Sequence, residues 1–265
     1  MKEEALTIIK DIADPARKLN LLREYVQSQA LRSLHESEAF VNLSFVGGSA
    51  LRFVFNLPRF SEALDFALDN RDGYTPESWM KKLKNDLSLA GFDTSLSWNG
   101  LTTVHNAWIK IDGLLSDAGL AVMQSQKLSI KLEIDTNPPT GARSERNIIA
   151  RHAMLSINHY DLPSLMAGKV HALITRKYSK GRDWYDLLWY RGRKPPVEPN
   201  LVQLQNALDQ TQGEAVVDSA QWKHQLIERI NNLDCSVLAA DVKPFLERRN
   251  EAALLTLENM HSVLT

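Results

Sequence analysis

The sequence predicts an α+β fold over its first two-thirds and a helical lobe over the remainder. The clearest strand runs from Lys127 to Asp135, where apolar residues alternate with polar and charged ones. The dipeptide Asn99-Gly100 separates two further strand-like segments and is a strong hairpin signal. Beyond a connector rich in proline and glycine, Gly192 to Asn200, the pattern is almost wholly helical. Strands and helices therefore alternate first, and helices alone follow.

The other elements follow from local patterns. Residues 3–38 lack glycine and repeat apolar residues at helical spacing, and Pro15 is expected to divide them into two helices. The remaining predicted elements are strands at 41–46 and 63–68 and helices at 49–56, 75–90, 163–177 and 182–191. The predicted organisation is a set of N-terminal helices (1–40) packing on a core (41–160), followed by a helical C-terminal lobe (161–265).

The composition is that of an ordinary globular protein, because 44% of its 265 residues are hydrophobic and 24% are charged. The formal net charge of −1 provides no overall positive field for nucleic acid. The single cysteine, Cys235, excludes an intramolecular disulfide framework and favours a reducing compartment. The sequence contains neither a signal-peptide layout nor an apolar run of about 20 residues. We therefore expect a cytoplasmic protein without a membrane partner.

A Gly-Gly-Ser sequence at 47–49 is a candidate phosphate site. Glycine lets the backbone approach a bound group closely, and amides that open a helix bind phosphate. Gly48 and Ser49 would then contact a nucleotide, Ser49 through its hydroxyl. The competing interpretation is a tight strand–helix turn without a ligand.

The strand at 63–68 presents Asp65 on the same face as position 63, because alternate strand residues share a face. Two carboxylates at that spacing suit a divalent metal ion, but position 63 is an alanine. Glu62 does not replace the missing group, since alternation turns it to the opposite face. A lone Asp65 is more often structural or solvated, so its assignment depends on the neighbouring motifs.

A second acidic group lies on the strand from Lys127 to Asp135, where Lys131, Glu133 and Asp135 share the polar face. If this strand neighbours that of Asp65, either Glu133 or Asp135 supplies a further metal ligand. The alternative is an amphipathic edge strand with a solvated polar face.

The segment from Lys169 to Asp186 concentrates charged residues around a glycine. Lys169 and Arg176 are seven residues apart, which predicts one helical face suited to a triphosphate. Asp183 and Asp186 share a face of the next helix, and Asp183 could hold the lysine, assist proton transfer or cap the helix. The alternative is an ordinary charged surface helix.

Taken together, these motifs resemble the AbiEii-type toxin nucleotidyltransferases. The opening signature of that family is matched by Gly47-Gly48-Ser49-Ala50-Leu51-Arg52 and by Arg59-Phe60-Ser61-Glu62-Ala63-Leu64-Asp65-Phe66. Its later motifs are matched in the same order by residues 131–139 and by the segment from Lys169 to Asp186. The resemblance covers roughly residues 40–190, and four blocks in order make it specific.

The resemblance implies a polymerase-β-like nucleotidyltransferase core with a mixed β-sheet, flanking helices and a helical C-terminal lobe. Members act in toxin–antitoxin or phage-defence systems, and several transfer nucleotides from an NTP to the 3′ acceptor end of tRNA. The implied cofactor is Mg²⁺ (or Mn²⁺), and the implied partners are an NTP, tRNA or another RNA, and a cognate antitoxin. Local basic clusters, such as Arg143 with Arg146 and Arg151, would supply counter-charge for RNA.

The family's functional residues can be placed by position in this sequence. The resemblance implies a catalytic group of Asp65, Lys169, Asp183 and position 63. The implied nucleotide-binding residues are Gly48, Ser49, Lys169 and Arg176, and the implied metal ligands are Asp65, Glu133 and Asp135, with either of the last two as the third acidic group.

Ala63 is the departure from the family pattern, which has an aspartate there. The loss of one metal ligand predicts a nearly inactive chain. Natural degeneration and an engineered inactivating change both explain the alanine, and the intact surrounding motifs favour the second. Two other functions stay open: nucleotide transfer to a protein or small molecule, and non-catalytic binding of nucleotide or antitoxin by a pseudoenzyme.

Overall fold

The computed structural model describes residues 1–123 and 125–265. Its strands form one mixed sheet of seven, in the order β3-β4-β5-β2-β1-β7-β6. The strands are β1 (Leu43–Val46), β2 (Ala63–Leu68), β3 (Asp93–Asn99), β4 (Val104–Asp112), β5 (Leu128–Asp135), β6 (Ser144–Ile149) and β7 (Leu155–Tyr160).

The α-helices precede, interrupt and follow the sheet. They are α1 (Lys2–Ile8), α2 (Pro15–Glu36), α3 (Gly47–Phe55), α4 (Pro76–Leu89), α5 (Leu114–Asp117), α6 (Leu162–Thr175), α7 (Gly181–Arg191), α8 (Leu201–Gln212), α9 (Trp222–Ile230), α10 (Cys235–Val242) and α11 (Leu257–Ser262). The predicted α+β class, with a mixed sheet, flanking helices and a helical C-terminal part, is confirmed. Within the described residues, no helix combines the length and apolar character that crossing a membrane requires.

Strand β2 lies at the centre of the sheet. It pairs antiparallel with β1 and parallel with β5. The interpretation of 127–135 as an edge strand is therefore wrong, since β5 lies between β4 and β2. On the apolar face, Leu64, Ile109 and Leu132 are fully buried.

Internal contacts divide the chain into two units. The first comprises Met1–Asn56, Phe60–Pro138 and Glu145–His159, and the second comprises Leu57–Arg59, Pro139–Ser144 and Tyr160–Thr265. In the first unit, α2 packs on β5 and α4 packs on β3, so the opposite face of these strands stays accessible. In the second unit, α6 packs on α7, α8 and α9.

Two strands were not predicted from the sequence. Strand β6 is exposed along most of its length and has no apolar alternation. Strand β7 does carry a usable signal, because Leu155 and Ile157 are buried and alternate with more exposed polar residues.

Candidate active site

The polar face of the sheet brings the first group of predicted residues together. Asp65 on β2 is paired in register with Glu133 on β5, and Ala63 is paired with Lys131. Paired residues on adjacent strands point to the same face, so the two carboxylates are neighbours. Lys131 Nζ lies 2.8 Å from Glu133 Oε1, and both side chains are about one-third exposed.

Asp135 lies further along the same face, because it is paired with Ala67 and not with Asp65. Its Oδ1 accepts a hydrogen bond of 2.9 Å from the backbone N–H of Asn137, just beyond the strand. Of the two acidic candidates on β5, Glu133 is therefore the one beside Asp65.

Two carboxylates alone do not form a three-ligand cluster. Within residues 1–123 and 125–265, no three His, Cys, Asp or Glu side chains lie close enough together to hold a metal ion. Mg²⁺ is commonly held by one or two carboxylates together with substrate phosphates, so Asp65 and Glu133 fit such an ion. An aspartate at position 63 would add a third carboxylate on the same face.

The Gly47-Gly48-Ser49 sequence is the first turn of α3 and follows β1 directly, whereas a separate turn was predicted. Gly47 has φ +74°, and a Cβ there would stand 2.5 Å from Asp65 Oδ2. The residue before the helix, Val46, provides no side-chain cap for the leading amides. This arrangement places a potential anion-binding helix terminus against the Asp65 carboxylate.

Ser49 is fully buried, and its hydroxyl has no hydrogen-bond partner among the residues that the structure describes. A buried hydroxyl without a partner destabilises a fold by about 1–3 kcal/mol. An oxygen of a bound phosphate would satisfy it.

The second group of predicted residues forms a buried charge cluster in the second unit. Lys169 Nζ on α6 lies 2.8 Å from Asp183 Oδ1 and 2.9 Å from Asp186 Oδ2, both on α7. Of the three roles considered for Asp183, holding the lysine is the one observed, since α7 has no side-chain cap. Arg176 also forms an ion pair with Asp183.

Arg59 completes this cluster and was not predicted. Its Nε and Nη2 each lie 2.6 Å from an oxygen of Asp186, and both residues are almost completely buried. No local pattern connects the two positions, which are 127 residues apart. The only signal was that Arg59 opens the second block of the family signature.

The charges in the cluster do not cancel. Lys169, Arg176 and Arg59 oppose Asp183 and Asp186, which leaves one positive charge in excess. Burial alone would raise the pKa of Asp183, but Lys169, Arg176 and Arg59 lower it to about 2. Burial likewise disfavours the charged Lys169, but Asp183 and Asp186 outweigh it and raise the lysine pKa. Both shifts favour the charged forms of Asp183 and Lys169, and the surplus positive charge of the cluster suits a phosphate.

The spacing predicts that Arg176 and Lys169 share a helical face, and this prediction is wrong. Helix α6 ends at Thr175, and Arg176 is in an extended conformation. The guanidinium of Arg229 donates to the carbonyl oxygens of Ile174 and Arg176, which satisfies acceptors at the end of the helix. Arg176 reaches Asp183 from the connecting segment instead.

Part of the basic surface expected to bind RNA has a structural role. Arg151 Nη1 lies 3.3 Å from Glu24 Oε1, and Glu24 Oε2 accepts a 2.5 Å bond from Arg52 Nε. Arg52 and Glu24 are both almost fully buried. Arg146 donates to the backbone carbonyl of Phe40. These arginines stabilise the first unit, so their charge is only partly available to a ligand.

The chain is similar in sequence to one known family and in fold to solved structures. The model of the family described as nucleotidyl transferase AbiEii toxin, type IV toxin–antitoxin system, matches residues 29–259. JHP933 from Helicobacter pylori is 17% identical, with a TM-score of 0.50 over 92% of this chain and 91% of that one. A candidate nucleotidyltransferase from H. pylori is also 17% identical, with a TM-score of 0.51 over 92% of this chain and 95% of that one. None of the curated proteins matches.

Proposed function

Because the chain belongs to the AbiEii family of nucleotidyltransferase toxins, we propose that it transfers a nucleotide from an NTP to the 3′ acceptor end of tRNA or another RNA and thereby blocks translation. The observation that carries this proposal is the register of β2 and β5. It aligns Asp65 with Glu133, next to the uncapped start of α3. Such a pairing of carboxylates and phosphate-binding amides serves phosphoryl transfer.

The reaction is attack of an acceptor hydroxyl on the α-phosphorus of the NTP, with pyrophosphate leaving on the opposite side. The amides of Gly47 and Gly48 and the hydroxyl of Ser49 bind and orient phosphate oxygens. Asp65 and Glu133 would hold a divalent cation, which supplies positive charge to the triphosphate when bound. In the second unit, Lys169 and Arg176 offer their surplus charge to a phosphate, and Asp183 keeps both in place.

Ala63 removes one of three carboxylates, and we expect the chain as written to be nearly inactive. Loss of one electrostatic contact to a transition state reduces rates by roughly 10²–10³. The decisive variant is Ala63→Asp. Its matched control is the double variant Ala63→Asp with Asp65→Asn. The second substitution removes the negative charge at position 65 and keeps a side chain of nearly the same shape.

The experiment measures incorporation of each labelled NTP into total RNA and total protein by these variants and by the parent chain. Label in RNA with Ala63→Asp, and none with the double variant, supports the proposal. Label in protein would assign a different acceptor, and NTP binding without incorporation would assign a pseudoenzyme. Equal incorporation by the parent and Ala63→Asp would refute the role given to position 63.

A further inference from the structure

An exposed tryptophan lies on the polar face of the sheet, in the same cross-strand row as position 63. Trp108 on β4 is paired with Lys131, and Lys131 is paired with Ala63. Trp108 is 40% exposed, whereas its neighbours Ala107 and Ile109 are fully buried on the other face. The core side of β4 is thus filled without this ring, and the ring is accessible to a ligand.

The charged amine of Lys131 lies near the Trp108 ring. Lys131 Nζ lies 5.9 Å from the centroid of the Trp108 ring. Proteins that bind single-stranded nucleic acid combine these two features, because a base stacks on the aromatic ring while an amine neutralises the adjacent phosphate. Ser97 on β3 is paired with Trp108 and extends the row with a small polar side chain.

We propose that Trp108 and Lys131 form a stacking platform for a base near the 3′ end of the RNA acceptor. This inference rests on the proposed function. In an in-line transfer, the attacking and leaving oxygens lie on opposite sides of the phosphorus. The start of α3, proposed to hold the phosphates, adjoins β1 on one side of β2, whereas Lys131 and Trp108 lie on the other. Neighbouring strands are about 4.8 Å apart, so β4 lies about 10 Å from β2, within reach of an acceptor strand.

The test measures binding, so it needs no transfer activity. The probe is a fluorescein-labelled single-stranded RNA of roughly 12 nucleotides with a free 3′ end, titrated with the full chain in an anisotropy assay. Trp108→Ala is expected to raise the Kd about tenfold or more, because one stacked base contributes that much. Trp108→Phe keeps a stacking ring and is expected to stay within about threefold of the parent.

Leu101→Ala is the matched control, because Leu101 is 95% exposed in the same β-hairpin and has no aromatic ring. It should leave the RNA affinity unchanged. Lys131→Ala should weaken binding and reduce its salt dependence, since one phosphate contact is lost. Circular dichroism and thermal unfolding establish that each variant is folded.

A parallel titration with ATP shows whether Trp108 stacks on a base of the RNA or on the base of the NTP. Unchanged ATP affinity in Trp108→Ala, together with weakened RNA binding, supports the acceptor platform. Weakened ATP binding with unchanged RNA binding would overturn it in favour of the NTP base, and unchanged binding of both would overturn any stacking role. Absence of incorporation by Ala63→Asp would refute the proposed function, while the RNA titrations would still report on the platform.

Discussion

The backbone of Gly47 lies so close to Asp65 that a Cβ at position 47 would stand 2.5 Å from the Asp65 Oδ2 atom. The first residue of α3 and the central carboxylate of β2 therefore determine each other's position. The glycine is required for two reasons, its φ of +74° and this contact. The proposed phosphate-binding turn and the proposed metal ligand Asp65 are therefore in direct contact.

Gly47→Ala should destabilise the protein and displace the Asp65 carboxylate. A positive φ alone costs an alanine about 1–2 kcal/mol, and the contact with Asp65 adds to this. Gly73→Ala is the matched control, since Gly73 has φ +76° with nothing within 4 Å of its Cβ position. Urea unfolding should show a larger loss for Gly47→Ala, and equal losses would contradict the contact.

In the Ala63→Asp background, the same two glycine variants separate stability from function. Gly47→Ala should greatly reduce NTP incorporation, because Asp65 is moved, whereas Gly73→Ala should preserve it. Both are assayed at a temperature where circular dichroism shows each to be fully folded.

Ala63→Asp should also make thermal stability depend on Mg²⁺, because a ligand that binds only the folded state raises Tm. In that background, Glu133→Gln should remove most of the shift, whereas Asp135→Asn should keep it, since Glu133 is the residue paired with Asp65. A Tm series against Mg²⁺ concentration measures this. A shift lost with Asp135→Asn but kept with Glu133→Gln would reverse the assignment.

Asp186→Asn should be strongly destabilising, because it removes the carboxylate that pairs with the buried Arg59 guanidinium. Breaking a buried pair from one side costs about 3–5 kcal/mol. Glu36→Gln removes a carboxylate from exposed ion pairs with Arg32 and Lys82 and should cost no more than about 1 kcal/mol. Urea unfolding compares the two. Similar small losses would mean that Arg59 finds another partner.

Glu24 should make the protein sensitive to acid. Burial would raise its pKa, but His152, Arg52 and Arg151 lower it from 4.5 to about 2. A lowered pKa in the folded state stabilises the protein above the unfolded value of 4.5, and this stabilisation is lost as pH falls towards 2. Its size is on the order of 3 kcal/mol.

The measurement is the free energy of unfolding between pH 7 and pH 3 for the parent and for Glu24→Gln. The variant should be less stable at pH 7 and should lose less stability on acidification. Glu145→Gln changes an exposed carboxylate on β6 and should follow the parent curve. A Glu24→Gln curve parallel to that of the parent would exclude this group as the source.

The sequence allowed the alternating strands to be predicted because one face of each is buried. β2 and β5 have this pattern, and so does the hairpin of β3 and β4. The pattern does not specify which residues become neighbours, since register depends on pairing across the sheet. The sequence could therefore predict that Asp65 and Glu133 are neighbours only on the condition that β5 lies beside β2.

Long-range contacts were beyond prediction for a different reason. The contact between Gly47 and Asp65 depends on backbone distance, which residue type alone does not encode. The role of Arg59 depends on a partner far along the chain, and Arg176 lies beyond the end of α6, where Arg229 binds its carbonyl oxygen. In each case a tertiary interaction determines the contacts of a residue, and the local sequence spacing does not predict them.

The ion pair between Arg59 and Asp186 joins positions separated by 127 residues. During translation, Arg59 is synthesised long before Lys169 and Asp186. A product that terminates between β2 and Lys169 therefore contains the start of α3 and β2 but not the buried charge cluster. Under the proposed function, the buried charge cluster of Lys169, Asp183 and Asp186 is complete only after about two-thirds of the message has been translated.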